Sequence, residues 1–137
     1  MDGVPPSQFT VEEAERLLPR LTELLLEMRE RRAEYDRFAA QAAELSDKMR
    51  GNGQLAQADL KTAQEGLEQA VAALNSLGEQ INELGCELKD IDQGLVDFRT
   101  DMDGHEVYLC WKLGEERVEW WHELDTGFAG RQPLERR

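Results

Sequence analysis

The sequence predicts an α+β protein, mostly α, in which a long antiparallel, coiled-coil-like helical hairpin is followed by a small antiparallel β-sheet of two to three strands. Three observations carry this prediction. Two long stretches repeat apolar residues in alternating steps of three and four, which is the period of a helical seam. Between them, Gly51-Asn52-Gly53 tolerates positive φ and permits a tight reversal. Beyond Gly85 the period shortens to the alternation of strands, with Val, Tyr and Trp enriched. All of this fits one domain over residues 1–137.

Helix 1 is expected over residues 10–50. Thr10 can cap the free amides and Glu13 can reach back to complete a capping box. The seam then runs through Ala14, Leu17, Leu21, Leu24, Met28, Tyr35, Phe38, Ala42, Leu45 and Met49, with Arg31 taking one seam position. Pro19 lacks an amide hydrogen, so a bend or break near Leu18 is expected, at a cost of ~3 kcal/mol if uncompensated. Helix 2 is expected over 54–84, with Leu60, Ala63, Leu67, Ala70, Leu74, Leu77, Ile81 and Leu84 in its seam and Gly85 as its stop. A reversal centred on Asn52 brings Phe38 to Leu67, Tyr35 to Ala70, Leu24 to Ile81 and Arg31 to Leu74. Around Leu18, Leu25 and Leu26 the apolar surface is wider than one seam covers, so the sheet or a second subunit must pack there.

A β-meander is expected over 95–125. Val107–Leu113 and Val118–Leu124 read as two strands joined at Gly114-Glu115-Glu116-Arg117, and Leu95-Val96-Asp97-Phe98 is a third, joined by Asp101-Met102-Asp103-Gly104. Pairing Leu113 with Val118 sets Trp111 opposite Trp120, Leu109 opposite His122 and Val107 opposite Leu124 on one buried face. Residues 126–137 form a tail.

Charge excludes some partners. The net charge of -13 repels phosphate-rich surfaces, so nucleic acid and anionic membrane are not expected ligands. No stretch has signal-peptide character or the length of a membrane helix, which makes the cytoplasm the expected location. The cysteines, Cys86 and Cys110, lack CxxC spacing and are expected as reduced thiols.

Candidate chemistry gathers on His122, an imidazole placed on an apolar face that needs a polar partner. The end of helix 2 returns to the same region, so Cys86, Glu87 and Asp90 can approach it, as can Glu123 and Asp125. A Cys, a His and carboxylates suit a transition metal such as zinc, with an open position if three ligands bind. No pair among them has a motif's fixed spacing, and a histidine hydrogen-bonded within the core is the plainer explanation. A Cys86–His122 nucleophile pair is conceivable in the same geometry. Arg31, in its seam, and Arg131, beside Gly130, are candidate anion contacts. Arg31 can equally lay its stem on apolar surface while pairing with Glu27. His105 reads as a solvated loop residue.

Several runs together resemble a known family: Leu84-Gly85-Cys86-Glu87-Leu88-Lys89-Asp90, Gly94-Leu95-Val96-Asp97-Phe98, Val107-Tyr108-Leu109-Cys110-Trp111, and Trp121-His122-Glu123 with Gly127–Leu134. With Phe9–Ala14 and Leu17-Leu18-Pro19, they resemble the bacterial family domain of unknown function 2203 over nearly the whole chain. The resemblance implies a bacterial cytoplasmic protein and brings no activity, cofactor or catalytic residue. Two functions follow as expectations. The seams account for most residues and favour a non-enzymatic, homodimeric interaction or scaffold protein. The alternative is a metal- or small-ligand-binding enzyme with a pocket between the sheet and the open end of the hairpin.

Overall fold

The computed structural model describes residues 8–51 and 57–135. The expected reversal at Asn52-Gly53, the start of helix 2 at residue 54 and the extreme N-terminus lie outside the described residues. Helix α1 spans Val11–Gly51 and helix α2 spans Gln57–Glu83. Their bounds follow local chemistry. Thr10 N–H donates to Glu13 Oε1 at 2.8 Å and Glu13 N–H to Thr10 Oγ1 at 3.1 Å, which completes the expected capping box. Helix α1 runs unbroken through Pro19, and Thr22 Oγ1 donates to the Leu18 carbonyl at 2.7 Å. At the other end, Leu84 N–H reaches Ile81 O at 3.1 Å and Gly85 takes φ 92, so α2 stops where the glycine was expected to stop it.

The chain forms two compact units, Leu26–Leu77 and Met1–Leu25 with Gly78–Arg137. Within the first, the Phe38 ring lies against Gly66, next to the expected Leu67; a Cβ at Gly66 would come within 2.7 Å of that ring. The glycine makes room for the aromatic side chain.

The second unit carries the sheet: β1 Glu87–Asp90, β2 Leu95–Met102, β3 His105–Lys112, β4 Trp120–His122 and β5 Gln132–Pro133. They form one antiparallel meander in chain order. The sheet therefore has five strands rather than two to three. Edge strands β1 and β5 span four and two residues, too short to show alternation against their polar composition. Strands β2 and β3 are joined by Asp103 and Gly104 at φ 52 and 90, the left-handed pair of a two-residue hairpin turn.

One sheet face carries Val96, Phe98, Val107, Leu109 and Trp111, each at most 1% exposed. Phe9 stacks edge-on against Phe98 at 5.3 Å, and in the same unit Ala14, Leu18, Leu21, Leu25 and Ile81 are buried. Leu18 and Leu25, expected to need the sheet or another subunit as cover, are 7% and 1% exposed in the single chain.

The β3–β4 register differs from the expected one by one residue: Tyr108 faces His122, Leu109 faces Trp121 and Cys110 faces Trp120. Val118 is the cause. Its N–H donates to Glu15 Oε2 of α1 at 2.9 Å and its side chain is fully buried, so it leaves the ladder and β4 begins only at Trp120. Because side chains alternate faces, a one-residue slip moves His122 to the opposite face, away from Leu109. Among the described residues no helix is long and apolar enough to cross a membrane.

Candidate metal centre

The register puts Asp97 of β2 directly across from Cys110 of β3, and His122 of β4 on the diagonal beside Cys110. Three consecutive strands thus contribute one donor each to the same face. Their ligand atoms all lie within 4.8 Å of one another, and all three side chains are buried. A tetrahedral ion with bonds of about 2.0–2.3 Å needs ligand atoms about 3.3–3.8 Å apart, so about an ångström of closure would complete the set. It is the one such group among the described residues.

His122 is held from both sides. Its Nδ1 meets the Glu123 carbonyl at 2.7 Å and its Nε2 meets Asp97 Oδ2 at 2.9 Å. A carbonyl can only accept, so Nδ1 carries a proton, and a further proton must lie between Nε2 and Oδ2. This tautomer aims Nε2 at the other two donors, with a backbone carbonyl as the orienting partner that metal-bound histidines usually have. Asp97 Oδ1, by contrast, is buried with no hydrogen-bond partner at ordinary distance, the Cys110 thiol being the donor beside the carboxylate. An unsatisfied buried acceptor costs on the order of 1–3 kcal/mol and calls for an explanation, for which a bound cation is a ready candidate.

Electrostatics fit an electrophile's place. Burial pushes the carboxyl of Asp97 above its ordinary range against the pull of His122. Burial, with the Asp97 charge beside it, pushes the Cys110 thiol up to about 12. Both anions are disfavoured in this site until a positive charge joins them. A cavity of ≈ 120 Å³ opens against the three donors, walled by Lys89, Leu95, Tyr108, Leu124, Gly127 and Phe128.

Beside the cavity, Glu87 accepts from Arg99 Nε at 2.8 Å, the Tyr108 hydroxyl at 2.9 Å and Lys89 Nζ at 3.1 Å. Burial opposes ionisation of Glu87, yet the hydrogen bonds from Lys89, Tyr108 and Arg99 hold its carboxyl below the ordinary range. Tyr108 in turn tilts its ring over His122, with centroids 5.3 Å apart.

Of the residues expected at the site, His122 is at its centre and Glu123 supplies a backbone carbonyl, while the Glu123 carboxylate pairs with His105 at 3.4 Å. Glu87 lies one residue pair away, acting through Tyr108. Asp90 accepts from Gln93 N–H at 3.2 Å in the β1–β2 turn. Cys86 does not join His122: it precedes Glu87 and so points to the opposite face, where its thiol donates to the Ile81 carbonyl at 3.6 Å and burial pushes it up to about 11. The same geometry separates the conceivable Cys86–His122 nucleophile pair. Arg131 is 12% exposed, grips the two oxygens of Glu115 at 2.8 and 2.9 Å, and stacks between Trp120 and Phe128. Arg31 pairs with Glu34 at 3.0 Å and Glu27 at 3.7 Å. The fork of each arginine thus already meets carboxylates.

Two donors were missed in the sequence. Asp97 is an acid inside the apolar run Leu95–Phe98, and that isolation was the available signal. Cys110 was placed back to back with His122 by the slipped register.

The family described as an uncharacterized conserved protein, DUF2203, matches residues 7–134. Neither the comparison with curated proteins nor that with solved structures gives a match.

Proposed function

We propose that this chain, which belongs to the DUF2203 family, is a metal-binding protein with the architecture of a small-molecule enzyme. Asp97, Cys110 and His122 are the protein ligands of one transition-metal ion, and the remaining coordination position faces the cavity. The observation that carries the proposal is the convergence of three unlike donors from three strands, with Asp97 Oδ1 buried and unpartnered among them. A thiolate with an imidazole and a carboxylate suits zinc or another borderline-soft divalent ion. Such an ion with an open position supplies Lewis-acid polarisation or an activated water. The chain's own part is to hold the imidazole tautomer through Glu123, to shield the thiolate and to shape the cavity.

The test is elemental analysis of protein purified without a His-tag, followed by titration with cobalt(II). Near-stoichiometric metal and a thiolate-to-cobalt absorption band, both lost in Cys110→Ser and His122→Ala, are the expected results. Protein that takes up neither zinc nor cobalt would reduce the cluster to a buried Asp–His hydrogen bond.

A second reading is the homodimeric, non-enzymatic interaction protein. It draws support from the Leu26–Leu77 unit, where Tyr35 and Val71 remain 36% and 42% exposed on their helices. Sedimentation velocity at micromolar concentration tests it, and a monomer would leave those side chains as isolated surface residues.

A further inference from the structure

Resting on the metal centre above, we propose that the cavity beside it binds a short-chain carboxylate. Its anionic head lies between the open coordination position and Lys89, and its hydrocarbon part lies on Leu95, Leu124 and Phe128. The cavity mixes two chemistries. Asp97, Cys110 and His122 line it together with the apolar Leu95, Leu124 and Phe128, and Gly127 adds no side chain to the space.

A metal ion and an N–H donor side by side then favour an anionic oxygen head. Lys89 is the cation among the cavity's walls, and its Nζ lies 4.5 Å from the centroid of the Tyr108 ring. That ring also packs against His122, at 5.3 Å between centroids. An ammonium has three N–H donors. Two of them are used, on Glu87 at 3.1 Å and on the Tyr108 hydroxyl at 3.4 Å. Arg99 is shared between Glu87 and Glu106, so Lys89 stays paired with Glu87 and offers the ligand its third N–H.

Size favours a short chain. The space is small, ≈ 120 Å³, and Leu124 and Phe128 are 44% and 36% exposed, so a longer chain would run past them into water. An inorganic oxyanion would leave the apolar residues against water.

Cobalt(II)-loaded protein titrated with acetate, propionate, butyrate, hexanoate and inorganic phosphate tests this. Propionate and butyrate should shift the d–d bands saturably and more tightly than acetate, with hexanoate gaining nothing over butyrate and phosphate silent. Lys89→Met should weaken butyrate by about tenfold with cobalt content and the thiolate band unchanged. Leu124→Trp, which fills the cavity, should abolish the shift while cobalt still loads. Cobalt-loaded protein that is indifferent to carboxylates, binds phosphate equally well, or binds butyrate equally in Lys89→Met would overturn the inference and leave the metal centre standing. Failure to load cobalt would overturn both.

Discussion

Replacing Asp97 separates the hydrogen-bonding role of its carboxyl from its role as a metal ligand. In Asp97→Ala, His122 Nε2 loses its 2.9 Å partner, and the truncation opens the adjoining cavity towards it. A buried hydrogen bond involving a charged group contributes ~1.5–3 kcal/mol, and truncation adds a small cavity. A loss of about 2–4 kcal/mol is therefore expected for the metal-free protein. Asp97→Asn differs in one atom. Its amide can donate to Nε2 while Nδ1–H stays on the Glu123 carbonyl, so the expected loss is about 1 kcal/mol or less. Asparagine is a poor ligand for the ion, however, and cobalt affinity should fall well below that of the unsubstituted chain. Urea denaturation followed by tryptophan fluorescence reads this out, since Trp111, Trp120 and Trp121 all lie in the sheet. An Ala variant as stable as the parent, or an Asn variant with unchanged cobalt affinity, would refute the reasoning.

Three further perturbations test the frame around the site. Glu87 has its folded-state carboxyl below the ordinary value of 4.5, so its contribution is present above that pH and is lost as pH falls. Between about pH 6 and about pH 3 the urea midpoint should drop further for the parent than for Glu87→Gln, and parallel curves would contradict the assignment. Gly94→Ala forces an L side chain to φ +68 and puts its Cβ 2.6 Å from Leu113 Cβ, which should cost about 2–4 kcal/mol; an unchanged midpoint would mean the β1–β2 turn rearranges freely. Arg131→Lys keeps the charge but loses the two-pronged grip on Glu115 and the stacking on Trp120 and Phe128. A loss of ~1–2 kcal/mol and faster amide hydrogen exchange across residues 123–131 are expected, and exchange unaltered there would show that Arg131 does not anchor the segment.

Much of the architecture was legible because it is local. The capping box at Thr10 and Glu13, the stop at Gly85 and the Asp103-Gly104 turn each depend on a few adjacent residues. The helical seams likewise follow from period alone. What could not be read depended on a partner distant in sequence. Glu15, over a hundred residues away, captures the Val118 amide and sets where β4 begins. With Val118 out of the ladder, β4 pairs with β3 in the register that sets His122 across from Tyr108. The histidine is buried in the sheet, but its neighbours are Asp97 and Cys110 rather than the expected Cys86. Strands β1 and β5 escaped for a different reason: their pairing is backbone-driven and leaves little pattern in the side chains.

The donor set spread over β2, β3 and β4 ties ion capture to correct strand alignment. Were β4 to slide by one residue, Trp121 or Glu123, depending on the direction, would stand where the imidazole belongs, and the set of three would be broken. If the proposed ion binds, its uptake would report that the hairpins have closed in step, since a mispaired meander would not assemble the set.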